Sequence, residues 1–87
     1  MKERQLRSLA DLTTSSRAIV VHLEGGTGFK SRLAALGVTV GASLEILQNR
    51  GQSPVLALIR DSWIAIGRGE ARKILVKGPE NAKQGTN

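Results

Sequence analysis

Few side chains in this 87-residue sequence could carry out chemistry, and those few are scattered along it. The single histidine, His22, precedes Glu24 by two residues, so both side chains would share one face of a strand. Such a pair could contact a transition-metal ion, but two ligands bind weakly and give little selectivity. The seven acidic residues stand singly, without the paired carboxyl groups that general acid–base catalysis needs. We therefore predict no catalytic residue, no metal site and no cofactor.

Three glycines within residues 25–28 invite comparison with a phosphate-binding loop. The P-loop signature is G-x-x-x-x-G-K-[ST], whereas one residue alone separates Gly28 from Lys30 here. The strand–helix–strand pattern that flanks a P-loop is also missing from the sequence. We interpret these glycines as the turn between a strand and a helix.

The composition is basic, with 13 Lys and Arg against 7 Asp and Glu, and it includes no cysteine. The lack of cysteine excludes a disulfide framework and a thiolate metal site. A basic small domain suggests nucleic-acid binding, but the charges are scattered and Phe29 and Trp63 are the sole aromatics that could stack on bases. An acidic protein surface would be attracted equally well, so we expect no nucleic-acid partner.

One stretch of the sequence has the pattern of a helix, and it lies between two glycine turns. Phe29, Leu33 and Leu36 occupy positions i, i+4 and i+7, which share one helical face. Gly37 follows, where a helix commonly ends in a left-handed residue. The pattern predicts that Leu33 and Leu36 fill the core.

The rest of the chain consists of short stretches that predict β-strands. Their β-branched or alternating residues place strands at 17–24, 42–48, 53–60, 63–66 and 74–76. Residues 67–73 predict a 3₁₀ turn, and the leucines at positions 6, 9 and 12 a helical turn or a strip across the barrel. The fold class is thus mainly β: a small SH3-like barrel of about five strands, with a helical insertion between the first two. An OB-fold, whose helix usually lies between the third and fourth strands, is the alternative.

The polarity of both ends predicts one domain at 9–77, a flexible lead at 1–8 and a disordered tail at 78–87. No stretch has the roughly 18 apolar residues that cross a bilayer. The charged N-terminus lacks the apolar region of a signal peptide. We therefore expect a soluble, cytoplasmic protein.

The order of these elements resembles the FeoA family of bacterial ferrous-iron uptake. An R-L-x-x-L-G-[hydrophobic]-x-x-G element stands at 32–41, and an E-A-x-x-I-x-V ending at 70–76. The resemblance covers roughly residues 9–76. The chain departs from the family at Thr13–Thr14, where Pro-Gly is frequent, and at Gly67, which interrupts a usual A-L-R run.

The resemblance implies an SH3-like barrel without enzymatic activity that binds and modulates the FeoB-type membrane GTPase transporter. On this basis we predict partner contacts along the helix edge, at Lys30, Arg32, Leu33, Arg68 and Arg72. Two alternatives stay open: a basic barrel that binds nucleic acid, and a regulatory domain that senses transition-metal ions. The second arises because the same domain ends iron-dependent repressors, whose helix-turn-helix this sequence has no room for, so we expect a stand-alone adaptor.

Overall fold

The computed structural model describes residues 6–78, which form six strands and three short helices. In chain order these are β1 (Arg7–Ser8), a 3₁₀ helix (Leu9–Asp11), β2 (Arg17–Leu23), α1 (Thr27–Ala35), β3 (Ser43–Gln48), β4 (Val55–Ile59), β5 (Ser62–Ile66), α2 (Arg68–Ala71) and β6 (Ile74–Lys77). Most of the predicted lead and tail, at 1–5 and 79–87, lies outside the described residues.

All six strands join one antiparallel sheet in the order β1-β6-β2-β3-β4-β5. The mainly β, SH3-like prediction is confirmed, with α1 inserted between β2 and β3 and with β6 returning beside β2. β1 was not predicted from the sequence; in it Arg7 pairs with Val76 and Ser8 with Leu75. Two paired residues are too few to give a periodic pattern, which is why the sequence did not reveal this strand. β1 lies within residues 1–8, the predicted flexible lead.

A bulge in β2 changes which side chains face the core. Val20 pairs with Val76 and His22 with Leu75, so one extra residue lies on β2 between these pairs. Strict alternation would put Val20 and Leu23 on opposite faces, yet both are buried. His22 consequently points to solvent.

The end of α1 corrects one prediction about the core. Leu36 is 45% exposed, whereas Val38 is fully buried beside Leu33. The amide of Val38 donates to the Leu33 carbonyl and that of Gly37 to the Ala34 carbonyl, both at 2.9 Å. These bonds form a Schellman motif, and Gly37 adopts its left-handed φ of 92°. The motif turns the chain so that Val38 fills the place that helical periodicity assigned to Leu36.

The core contains apolar side chains alone; no polar or charged residue among 6–78 is buried. Leu9 begins the 3₁₀ helix and Leu12 follows it, and both are at most 2% exposed, as the predicted leucine strip requires. Leu6, the third leucine of that strip, is 52% exposed and lies outside the core. Between β5 and β6, the predicted 3₁₀ turn is instead a single α-helical turn, α2, whose Ala71 is buried.

Candidate functional site

The two α-helices meet at the surface through an ion pair. Arg32 on α1 donates to Glu70 Oε2 on α2, from Nε at 3.1 Å and from Nη2 to the same oxygen. The Arg32 side chain is 59% exposed and that of Glu70 35%. This contact joins residues 38 positions apart and connects α1 to α2 at the surface.

An aromatic ring lies beside this ion pair. The Phe29 ring centroid is 5.9 Å from Arg32 Cζ and 5.6 Å from Lys73 Nζ, distances at which a cation is attracted to the face of a ring. Gly25 makes room for the ring, because a Cβ on that residue would stand 2.8 Å from Phe29 Cγ. Through its contact with Lys73, the residue before β6, Phe29 connects α1 to the last strand.

We name this region the α1–α2 surface. Lys30 is exposed on α1 next to Phe29, and Arg72 is exposed at the C-terminal end of α2. With Arg32 and Lys73, these two segments carry four exposed basic side chains and one carboxylate. The α1–α2 surface comprises Phe29, Lys30, Arg32, Glu70, Arg72 and Lys73.

Arg68 belongs to a different contact. Its guanidinium donates to the Ser53 carbonyl, from Nε at 3.2 Å and Nη2 at 2.8 Å, and from Nη2 to Asn49 Oδ1 at 2.7 Å. The amide of Asn49 in turn donates to the carbonyls of Ala10 and Leu12 at 3.0 and 2.6 Å. We call these residues the Asn49–Arg68 network. Arg68 and Asn49 together thus join three segments of the fold, whereas the sequence had suggested a role for Arg68 in partner contact.

The prediction that Leu33 contacts a partner is wrong, because this residue is buried. Its side chain is 1% exposed and lies in the core, where it anchors α1 to the barrel. A partner could not touch Leu33 without unfolding that packing. Of the five predicted contact residues, Arg32 makes the ion pair with Glu70, while Lys30 and Arg72 are exposed on the same two segments and stay predictions.

Glu70 and Lys73 are members of this surface that were not predicted from the sequence. Both belong to the E-A-x-x-I-x-V ending that carried the family resemblance, so the motif marked the right segment. Nothing in their spacing indicates that Glu70 meets Arg32, because the contact depends on how the sheet brings α2 back beside α1.

The His22–Glu24 pair is exposed, with 3.9 Å between His22 Nε2 and Glu24 Oε2. Within residues 6–78 no group of three or more His, Cys, Asp or Glu side chains is placed to hold a metal ion. None of the helices in this range has the length and apolar character needed to cross a bilayer.

The fold and the surface together define a small SH3-like barrel with a basic helical face. The FeoA domain family matches residues 7–78, so the chain belongs to the FeoA family. A Methanocaldococcus jannaschii protein provisionally named Fe(2+) transport protein A is 37% identical over 79 residues, which cover 86% of this chain and 95% of that protein.

Solved structures agree with the family assignment. The crystal structure of an iron uptake regulatory protein (FeoA) has a TM-score of 0.80 and 26% identity, and the match covers 84% of this chain and 97% of that one. A manganese-dependent transcriptional repressor has the same fold, with a TM-score of 0.78 at 16% identity. The match spans 90% of this chain and 44% of the repressor.

Proposed function

We propose that this FeoA-family protein is a cytoplasmic, non-enzymatic accessory protein of ferrous-iron uptake that binds a FeoB-type membrane GTPase transporter. Membership of the FeoA family supports the role in ferrous-iron uptake. Binding of the transporter goes beyond what family membership supports. We propose that it occurs by protein–protein contact at the α1–α2 surface. Fe²⁺ is the cargo of the transporter in this proposal.

The single observation that carries the binding site is the Arg32–Glu70 ion pair, which joins two basic segments into one surface. An exposed ion pair contributes little to folding, so a carboxylate of the partner can replace Glu70 without a large loss of stability. Lys30 and Arg72 make no hydrogen bond or ion pair to other side chains among residues 6–78. Their charges are available to an acidic surface, and charge complementarity raises both association rate and specificity.

The test is a binding titration of the purified protein against the cytoplasmic GTPase part of the transporter, with and without guanine nucleotide. The Lys30→Glu/Arg72→Glu double variant should lose at least about tenfold in affinity, because two attractive contacts become repulsive. Wild-type binding should also weaken as salt increases, since exposed charges are screened within about 10 Å at 0.1 M. A nucleotide effect on affinity would show which transporter state is recognised.

The matched control is Arg50→Glu/Arg60→Glu, which changes the net charge equally at two exposed turn residues outside the α1–α2 surface. This control should bind as the wild type does, and both doubles should retain the wild-type melting temperature. Equal weakening in the two double variants would indicate attraction by net charge alone and would reject the proposed site. Absence of wild-type binding would reject the partner.

A further inference from the structure

β5 ends the sheet, and one of its two edges is free within the described structure. Its five residues, Ser62–Ile66, pair with β4 in continuous antiparallel register. Among residues 6–78 no backbone hydrogen bond joins β5 to any element other than β4. A sheet edge of this kind presents N–H and C=O groups that a further strand can use.

The turn before β5 determines which residues present those groups. Arg60 and Asp61 have φ values of 51° and 68°, which is the conformation of a two-residue type I′ hairpin turn. The residues that flank such a turn, Ile59 and Ser62, form its closing hydrogen bond. Because bonding alternates along an antiparallel strand, Ser62, Ile64 and Ile66 face β4. Trp63 and Ala65 therefore direct their N–H and C=O groups to the free edge.

The outward side chains of this edge are apolar. Trp63 is 73% exposed, and Leu58 lies opposite it on β4. Ala65 is also exposed and lies opposite Leu56. Edge strands are usually protected by a charge, a proline or a covering element, but β5 contains neither a charged residue nor a proline. This edge is therefore suited to pairing with another strand.

We propose that β5 pairs with β5 of a second copy of this chain, antiparallel and about a two-fold axis at Ile64. In this register Trp63 lies opposite Ala65 of the second copy, and Ala65 opposite its Trp63. Trp63 and Ala65, whose backbone groups face the edge, then hydrogen-bond to Ala65 and Trp63 of the second copy. A register shifted by one residue would place them opposite residues whose backbone groups are already bonded to β4. A register shifted by two would leave either Trp63 or Ala65 without a partner inside β5.

Side-chain size and charge favour the same arrangement. A large Trp63 meets a small Ala65 on each half of the axis, so the rings do not collide. The net charge of +6 would oppose self-association in general, but β5 brings no charged side chain into its own pairing. Two short strands and two indole rings bury less than the roughly 800 Å² per partner of a standard interface. The dimer is therefore weak, and it is independent of the proposed transporter contact.

Sedimentation velocity over a concentration series tests whether the chain forms a dimer. Fluorescence tests whether β5 is the interface, because Trp63 is the sole tryptophan of the chain and lies on this edge. We expect monomer at about 10 µM and dimer in the range of about 0.1–1 mM. Trp63 emission should shift to shorter wavelength as dimer forms. A chain that stays monomeric throughout, or an emission shift that needs the transporter rather than concentration, would overturn the proposal.

The diagnostic variant is Ala65→Glu, which places a carboxylate opposite the negatively polarised face of the partner's indole ring without touching the core. It should weaken self-association by at least about tenfold, and Trp63→Ala should do the same by removing the ring. Val40→Glu is the matched control, because Val40 is 63% exposed in the loop between α1 and β3 and gains the same charge. Loss of association in all three variants, or in none, would exclude the β5 edge as the interface.

Discussion

Arg32 and Arg68 both make contacts that involve α2, and the two contacts have opposite consequences. Arg68 starts α2 and is half-buried, with backbone carbonyl and amide oxygens as acceptors. Arg32 reaches α2 from α1 and has the Glu70 carboxylate as its acceptor, at an exposed position. The residue type is the same, so the acceptor and the exposure decide which arginine holds the fold and which can serve a partner.

The physical reason is the cost of the unpaired state. Asn49 Oδ1 is part-buried, so it has limited access to water when it loses its donor, and leaving such a group unsatisfied costs about 1–3 kcal/mol. An exposed carboxylate that loses its arginine is rehydrated, so exposed ion pairs contribute about 0.2–1 kcal/mol. The α1–α2 surface can therefore exchange partners, whereas the Asn49–Arg68 network cannot do so without loosening the fold.

The largest expected effect comes from the side chain that holds the α1–α2 surface on the barrel. Leu33→Ala removes a side chain that is 1% exposed and leaves a cavity under α1. We expect a loss of about 2–5 kcal/mol in the free energy of unfolding, measured by denaturant titration. Leu36→Ala is the control, because that side chain is 45% exposed and should change stability much less. Equal losses would contradict the Schellman arrangement at the end of α1.

Gly25→Ala tests the support of the same surface without altering its charges. The added Cβ would stand 2.8 Å from Phe29 Cγ and 3.1 Å from its Cβ, so the ring must move. Overpacking of this kind costs about 1–3 kcal/mol, to be measured by thermal unfolding. Gly26→Ala is the control, because a Cβ there meets nothing within 4 Å. A neutral Gly25→Ala would mean that the Phe29 ring is not held against residue 25.

Arg68→Ala tests the Asn49–Arg68 network. The part-buried Asn49 Oδ1 loses its donor, whereas water can reach the exposed Ser53 carbonyl. We expect a loss of about 1–2 kcal/mol in the free energy of unfolding, mainly from Asn49. For a domain of this size each kcal/mol lowers the melting temperature by about 4–8 °C. Transporter affinity should stay unchanged in the folded variant. A loss of affinity without a loss of stability would return Arg68 to the partner-contact residues.

Arg32→Ala should have the smallest effect on stability and thereby completes the comparison. Loss of the exposed pair with Glu70 should change the free energy of unfolding by about 0.2–1 kcal/mol. The proposed function predicts a clear loss of transporter affinity in the same variant, measured in the binding titration. A stability loss as large as that of Arg68→Ala would show that the two arginines do not differ as the structure indicates.

The predicted elements agree with the structure where a local pattern carried enough information. β2 through β6 and α1 were all expected close to their observed positions, because alternation and helical spacing extend over four or more residues. What the sequence missed falls where the pattern is interrupted: the two-residue β1, the bulge in β2, and the turn that exchanges Leu36 for Val38. Each is decided by hydrogen bonds to a distant or non-periodic residue, which periodicity does not record.

The sequence by itself determined the fold class and the position of the helix, since these follow from the order of apolar and glycine residues along the chain. Its two motifs at 32–41 and 70–76 carried the resemblance to the FeoA family. It also identified Lys30, Arg32 and Arg72 as basic residues of the segments that form the α1–α2 surface. Only the tertiary structure decided that Arg32 meets Glu70 while Arg68 holds Ser53 and Asn49. The composition counts these arginines as equal charges, and only the folded sheet gives each of them an acceptor and an exposure.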